Sequence, residues 1–166
     1  MIYKLYPYGK RKAFNVTYDD GVQQDVRFVK LLNQYGLKGT FNLNSALAAS
    51  EFEWIHESGC VVKRLKAEEI PALYAGHEVA SHTLNHPYMH DLSWEGVLWE
   101  LSQDKRNLEA LFETEVKGFA VPFDYYSDMM AECVKRCGFT YGRISEMSHS
   151  FQPQSDYYRW KATVFH

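Results

Sequence analysis

Two short polar stretches contain the residue types that metal-assisted hydrolysis needs. Asp19 and Asp20 follow an apolar run and precede Gly21, and His82 and His86 stand four residues apart. Two adjacent carboxylates are costly unless a cation or a proton separates their roles. If the segment after His82 turns helically, both imidazoles face one side, and together with one carboxylate they can hold a metal that keeps positions open for water and substrate. The four residues therefore predict a metal site with a spare carboxylate beside it.

Both stretches are predicted to lie at the carboxyl ends of strands. Residues 14–18 are rich in β-branched and aromatic side chains, and residues 77–82 form a second strand-like run. The carboxyl ends of strands are where alternating sheets and barrels bind their ligands. We therefore expect the acids and the histidines to converge at one edge of a sheet.

Strand and helix patterns alternate along the whole chain. Helices are predicted over residues 22–35, 67–74, 94–112 and 127–137, with Ser93 and Ser127 as N-caps of the last two. Further strands are predicted over residues 39–44, 60–62, 118–123, 141–144 and 162–165, and residues 45–56 are expected to be helical or irregular. This alternation predicts an α/β fold with mainly parallel strands. Because a closed eight-stranded barrel usually needs about 200 residues or more, we expect a distorted or incomplete (β/α) barrel.

Composition limits the organisation and the partners of the chain. With 166 residues, 46% of them hydrophobic, residues 1–166 are expected to form a single domain. The net charge of −3, spread over both signs, predicts neither a nucleic-acid partner nor a membrane partner, and oligomeric state is left open. Charged residues interrupt the first fourteen positions and three cysteines lack metal-type spacing, which predicts a soluble cytoplasmic protein. An extracytoplasmic location stays open if the chain is part of a longer one.

The polar stretches resemble the motifs of a known enzyme family. Thr17-Tyr18-Asp19-Asp20-Gly21 resembles the Thr-Phe-Asp-Asp-Gly motif of the polysaccharide deacetylases, the NodB-homology domain of carbohydrate esterase family four. His82-Thr83-Leu84-Asn85-His86 resembles the family's His-Ser/Thr-x-x-His motif. Phe119-Ala120-Val121-Pro122-Phe123 is similar to the third motif, and residues 156–166 look like a compressed form of the last two. The resemblance implies a NodB-like barrel acting on an acetylated sugar.

The resemblance also implies a role for each matching residue. Asp20, His82 and His86 would hold a divalent metal, zinc first, with cobalt, nickel or manganese also suited to such ligands. Asp19 would be the general base, and His166 would protonate the departing amine. The backbone N–H of Phe123, just after Pro122, would stabilise the oxyanion. Asp124 and Tyr125 are expected to line the substrate groove, with an exposed loop surface as the alternative, and Trp160 is expected to form a pocket wall or to belong to the core.

Two features depart from the family pattern. The third motif often carries an arginine that pairs with the base, and Ala120 stands at that position. Without this arginine the base should be less tightly held, unless Arg64 or Arg143 supplies the charge. His166 is the last residue of the sequence, where chains tend to fray unless they are docked.

The prediction is a metal-dependent hydrolase that removes an N-acetyl group from a sugar, with an O-acetyl group as second choice. The main alternative is a catalytically impaired, sugar-binding protein of the same fold, which Ala120 and the terminal His166 make credible. An iron oxygenase would share the ligand set but is normally built on another architecture, and it has no need of a second carboxylate. A purely structural interaction protein would have no reason to place acids and histidines at strand ends.

Overall fold

The computed structural model describes residues 6–48 and 53–165, which contain eight strands. The strands are β1 (Val16–Asp19), β2 (Gly39–Leu43), β3 (Glu53–Ile55), β4 (Val61–Lys63), β5 (Glu78–Ser81), β6 (Gly118–Ala120), β7 (Tyr141–Met147) and β8 (Trp160–Ala162). Six of them form one sheet in the order β1-β2-β5-β6-β7-β8, and every neighbouring pair is parallel. Because the spatial order follows the chain order, the sheet curls as a half-barrel. The expected incomplete (β/α) barrel is confirmed.

Helices cross between the strands and cover the sheet. They are α1 (Gln24–Gln34), α2 (Ile70–Leu73), α3 (Trp94–Phe112) and α4 (Asp128–Arg136). The caps of the two long C-terminal helices are as predicted, since the hydroxyls of Ser93 and Ser127 accept hydrogen bonds from the amides of Gly96 and Met130. Pro71 lies in the first turn of α2, where its missing N–H costs nothing.

The core lies between the sheet and these helices. Val97, Leu101 and Leu108 of α3 form a completely buried stripe that belongs to the same apolar cluster as Phe41 and Phe119 of the sheet. This packing holds the strand ends in fixed positions relative to one another. None of the helices in the described ranges is long and apolar enough to cross a membrane.

Two predicted elements were wrong. Residues 45–56, expected to be helical or irregular, contain strand β3, which pairs antiparallel with β4 to form a separate hairpin. The last strand is β8 at Trp160–Ala162 rather than over residues 162–165, because the pairing partners of Trp160 and Lys161 are Arg143 and Ile144 of β7. Long-range pairing, rather than local β propensity, decided both elements. His166 lies outside the described residues.

Candidate active site

The carboxyl ends of the parallel strands bring the polar residues together. Asp19 ends β1 and Asp20 follows it, while His82 follows β5 directly. Ligand atoms of Asp20, His82 and His86 all lie within 4.8 Å of one another. Asp20 and His86 are partly exposed and His82 is buried, so solvent can reach the cluster at Asp20 and His86. The predicted convergence of acids and histidines is therefore present.

The two imidazoles are prepared for metal binding. The Nδ1 of His82 lies 2.8 Å from the carbonyl oxygen of Ala120, which fixes the ring orientation and leaves Nε2 as the ligand atom. Burial, and to a smaller extent the neighbouring His82 and Arg64, lowers the pKa of His86 to about 4, so this ring is neutral near pH 7. A neutral nitrogen is the form that coordinates a metal. Two nitrogens and one carboxylate oxygen suit a zinc-type ion, so the residues present fit the expected group.

Asp19 is held by an arginine from a distant strand. Nη2 of Arg143 lies 2.5 Å from both carboxylate oxygens of Asp19. The amide of Asn42 also donates to Asp19, over 2.7 Å. Although burial raises the pKa of Asp19, the neighbouring His82 and Arg143 and the hydrogen bonds from Arg143 and Asn42 outweigh that effect and hold the pKa below its usual value. Asp19 is therefore ionised at neutral pH, as a base must be.

The position of Arg143 explains Ala120. The two residues are partners in the register between β6 and β7, so they stand side by side on the same face of the sheet. The positive charge that the family motif places on β6 is thus supplied by the next strand. Of the two candidates left open by the sequence, Arg143 pairs with Asp19, and Arg64 pairs with Asp20.

Strained backbone is concentrated around the cluster. Asp20, Thr83, His86 and Phe123 all have positive φ, at 78°, 68°, 53° and 59°. The left-handed region is unfavourable for residues other than Gly, Asn and Asp, and most of all for a β-branched residue such as Thr83. Such strain persists only where the surroundings impose it, and it is common at functional sites.

Two acids of α3 support the loop that contains the histidines. The buried Asp104 accepts hydrogen bonds from the Ser81 hydroxyl at 2.5 Å and from the Ser45 amide at 2.7 Å. One turn earlier, Glu100 accepts from the backbone amide and the side-chain amide of Asn85, at 2.9 and 2.8 Å. The helix therefore ties down both ends of the histidine loop, because Ser81 precedes His82 and Asn85 precedes His86.

A cavity of about 590 Å³ opens at the cluster. Its lining residues are Asp20, Leu47, Trp54, Arg64, Asn85, His86 and Phe123. Phe123 stacks on Tyr88 with ring centroids 3.9 Å apart, and its ring edge meets His86. The cavity therefore has an aromatic wall on each side, Trp54 on the β3–β4 hairpin and Phe123 after β6.

The other predicted groove residues lie outside this cavity lining. Pro122 is buried beneath Phe123, and Asp124 is exposed beyond it. Tyr125 is exposed and packs its ring against His90, with centroids 5.4 Å apart. Trp160 is partly buried on β8, where it stacks on Tyr157. The role of each in substrate binding stays a prediction.

A sequence model described as polysaccharide deacetylase matches residues 7–142 of the 166. The chain belongs to the polysaccharide deacetylase family. A comparison with curated protein sequences gave no significant match.

Solved structures show the same fold at low sequence identity. A Streptococcus pyogenes deacetylase, PplD, in complex with acetate is 19% identical, with a TM-score of 0.71 over 82% of this chain. A polysaccharide deacetylase from Bacillus cereus is 17% identical, with a TM-score of 0.75 over 93% of this chain. A de-N-acetylase from Aggregatibacter actinomycetemcomitans is 12% identical, with a TM-score of 0.73 over 95% of this chain. The chain spans 57%, 47% and 72% of these proteins, respectively.

Several supporting residues were missed from the sequence. Asn42 and Asn44 alternate at the end of β2, and both are buried beside the site. Asn44 donates to the backbone carbonyls of His82 and Thr83. Asn42 within the buried strand β2 and Asn44 directly after it were a readable signal, because buried polar groups need partners. Glu100 and Asp104 left a weaker signal, as acids one turn apart on the predicted buried stripe of α3.

Proposed function

We propose that the chain is a metal-dependent deacetylase that removes an N-acetyl group from an acetylated sugar. The observation that carries the proposal is that ligand atoms of Asp20, His82 and His86 lie within 4.8 Å of one another. The carboxylate of Asp19 stands beside them and is not needed as a metal ligand. A divalent ion in this set, zinc first, supplies Lewis acidity to a water molecule and to the acetyl carbonyl. The names of two structural relatives, a deacetylase bound to acetate and a de-N-acetylase, support the same chemistry.

The remaining residues divide the proton transfers between them. Asp19 accepts a proton from the attacking water, and Arg143 keeps this carboxylate ionised and oriented. The backbone N–H of Phe123 donates to the carbonyl oxygen as negative charge develops there. His166, outside the described residues, is proposed to protonate the departing amine. An amine leaving group needs such an acid more than an alcohol does, which favours the N-acetyl over the O-acetyl substrate.

The alternative of a sugar-binding protein without activity has lost one of its two supports. It relied in part on Ala120, the missing arginine of the third motif. Because Arg143 contacts both oxygens of Asp19, the base has its cationic partner after all. This contact favours a catalytic over a purely binding role.

Acetate release tests the proposal. Metal-stripped protein should release no acetate from acetylated chitin, peptidoglycan or xylan fragments, and added Zn²⁺ or Co²⁺ should restore release from an N-acetylated fragment. Asp19→Asn should lower the rate at least about 100-fold, since general base catalysis is worth about 10²–10⁴. Asp128→Asn, which changes an exposed carboxylate on α4, should keep the wild-type rate. Sugar binding with no release under any metal would favour the inactive alternative.

A further inference from the structure

Arg64 lies against the candidate metal ligand Asp20. Its side chain is only 6% exposed. Nη2 donates to Oδ1 of Asp20 at 3.1 Å, and Nη1 donates to the backbone carbonyl of Asp20 at 2.5 Å and to Oδ1 of Asn44 at 3.0 Å. The guanidinium is therefore bound by three acceptors at the edge of the cluster. No step of the proposed reaction uses it.

The β3–β4 hairpin keeps Arg64 in this place. The amide of Gln23 donates to the carbonyl of Lys63, and the amide of Leu65 donates to the carbonyl of Gly21, both at 2.8 Å. These bonds fasten the end of β4 to the loop that follows Asp20. On the other side the guanidinium carbon lies 5.6 Å from the ring centre of Trp54 on β3. Arg64 is therefore part of a docked element rather than a freely moving surface side chain.

The guanidinium and a metal ion would share the same carboxylate oxygen. Oδ1 of Asp20 accepts from Arg64, and it also lies 3.6 Å from Nε2 of His86. With neutral histidines, the three ligands have a formal charge of −1, and Arg64 brings the total to zero. A divalent ion is then attracted less strongly and is repelled by a cation in the adjoining position.

We propose that Arg64 is a built-in counter-cation of Asp20 that lowers the affinity of the site for its divalent ion. The inference rests on the metal site of the proposed function and deepens it. The consequence is that occupancy follows the supply of free metal, while the unloaded site keeps Asp20 in its ligand conformation. Arg64 thus weakens the binding of the divalent ion and at the same time keeps the site assembled when no metal is bound.

Two opposing effects of Arg64 have to be separated. Removing a hydrogen-bond partner of a ligand typically weakens metal binding about 10- to 100-fold. Removing the charge strengthens it, because a unit charge and a divalent charge about 5 Å apart repel by about tenfold in affinity even in bulk water, and by more where water is partly excluded. Arg64→Gln keeps an amide donor and removes the charge, whereas Arg64→Lys keeps the charge.

The test is the Zn²⁺ dissociation constant of metal-stripped protein, measured by competition with a chromophoric chelator at fixed pH and ionic strength. Arg64→Gln should bind Zn²⁺ at least tenfold more tightly than wild type, and Arg64→Lys should remain within about threefold. Lys63→Gln is the matched control, because it removes a neighbouring cation that is 52% exposed and paired with Glu53. Its affinity should equal that of wild type.

The possible outcomes distinguish a failure of this inference from a failure of the proposed function on which it rests. Equal or weaker binding by Arg64→Gln, with clear binding by wild type, overturns the role of Arg64 and leaves the metal site intact. Binding by none of the variants overturns both. Binding by Arg64→Gln but not by wild type supports the inference in its strongest form. Should Arg64→Gln fail to fold, Arg64→Asn, which also keeps an amide donor and removes the charge, is judged by the same criteria.

Discussion

Arg143→Met tests the idea that an arginine on β7 replaces the missing arginine of the third motif. In the structure Nη2 of Arg143 contacts both oxygens of Asp19 at 2.5 Å, and the arginine side chain is 9% exposed. The variant removes the charge and both contacts while keeping a side chain of similar length. Among the described hydrogen bonds to this carboxylate, the one from the neutral amide of Asn42 would remain.

The expected loss follows from the position of the base. Since Asp19 loses its negative charge as it accepts a proton, the energy of the ion pair is not itself gained in the transition state. A misplacement of a catalytic group by about 1 Å can cost about 100-fold in rate. Because Asn42 still donates to Asp19 in the variant, we expect a smaller loss, about 30-fold. Since the base acts in the chemical step, kcat should fall by this factor while KM stays within about twofold.

Deacetylation kinetics on an N-acetylated fragment, with saturating metal, provide the assay. The double variant Ala120→Arg with Arg143→Ala moves the arginine to the neighbouring strand, because these two residues are register partners. It should recover at least tenfold of the lost rate. Arg143→Met with a kcat within threefold of wild type would refute the reasoning. A loss that the double variant does not restore would show that Arg143 supports the fold rather than the base.

Two further predictions concern buried acids. Burial raises the pKa of Asp25 to about 7, so between about pH 4 and 7 the folded state keeps a proton that the unfolded state loses. Stability relative to Asp25→Asn should therefore fall by up to about 4 kcal/mol as pH rises through this window, and a pH-independent difference in urea unfolding would contradict this. Glu100→Gln should weaken Zn²⁺ binding about tenfold, because it loosens the two hydrogen bonds to Asn85. Glu132→Gln, which changes a half-exposed acid of α4, should not change the affinity. Equal affinities for both variants would show that the Glu100 contact does not position the histidines.

Local patterns were sufficient where the signal lies within a few residues. The boundaries of α3 were predicted because Ser93 caps a helix whose apolar residues recur at helical spacing. The placement of Asp19, Asp20, His82 and His86 at strand ends followed from apolar runs that stop at polar residues. Parallel strands then had to bring these ends to one edge. The fold class and the convergence of these four residues at one edge of the sheet were therefore readable from the sequence.

Only the tertiary structure decided which arginine pairs with which aspartate. Arg143 and Asp19 are 124 residues apart, and their contact depends on strand order and on the register between β6 and β7. Arg64 reaches Asp20 because the β3–β4 hairpin packs against the loop that follows Asp20. Of this hairpin, the sequence predicted strand β4 but not strand β3. The sequence shows which charged residues are present. Ion pairs form only between charges a few ångströms apart, so which pairs form depends on which strands become neighbours. The sequence by itself thus determined which acids and histidines stand at the strand ends, and the packing of the sheet determined which cation neutralises each acid.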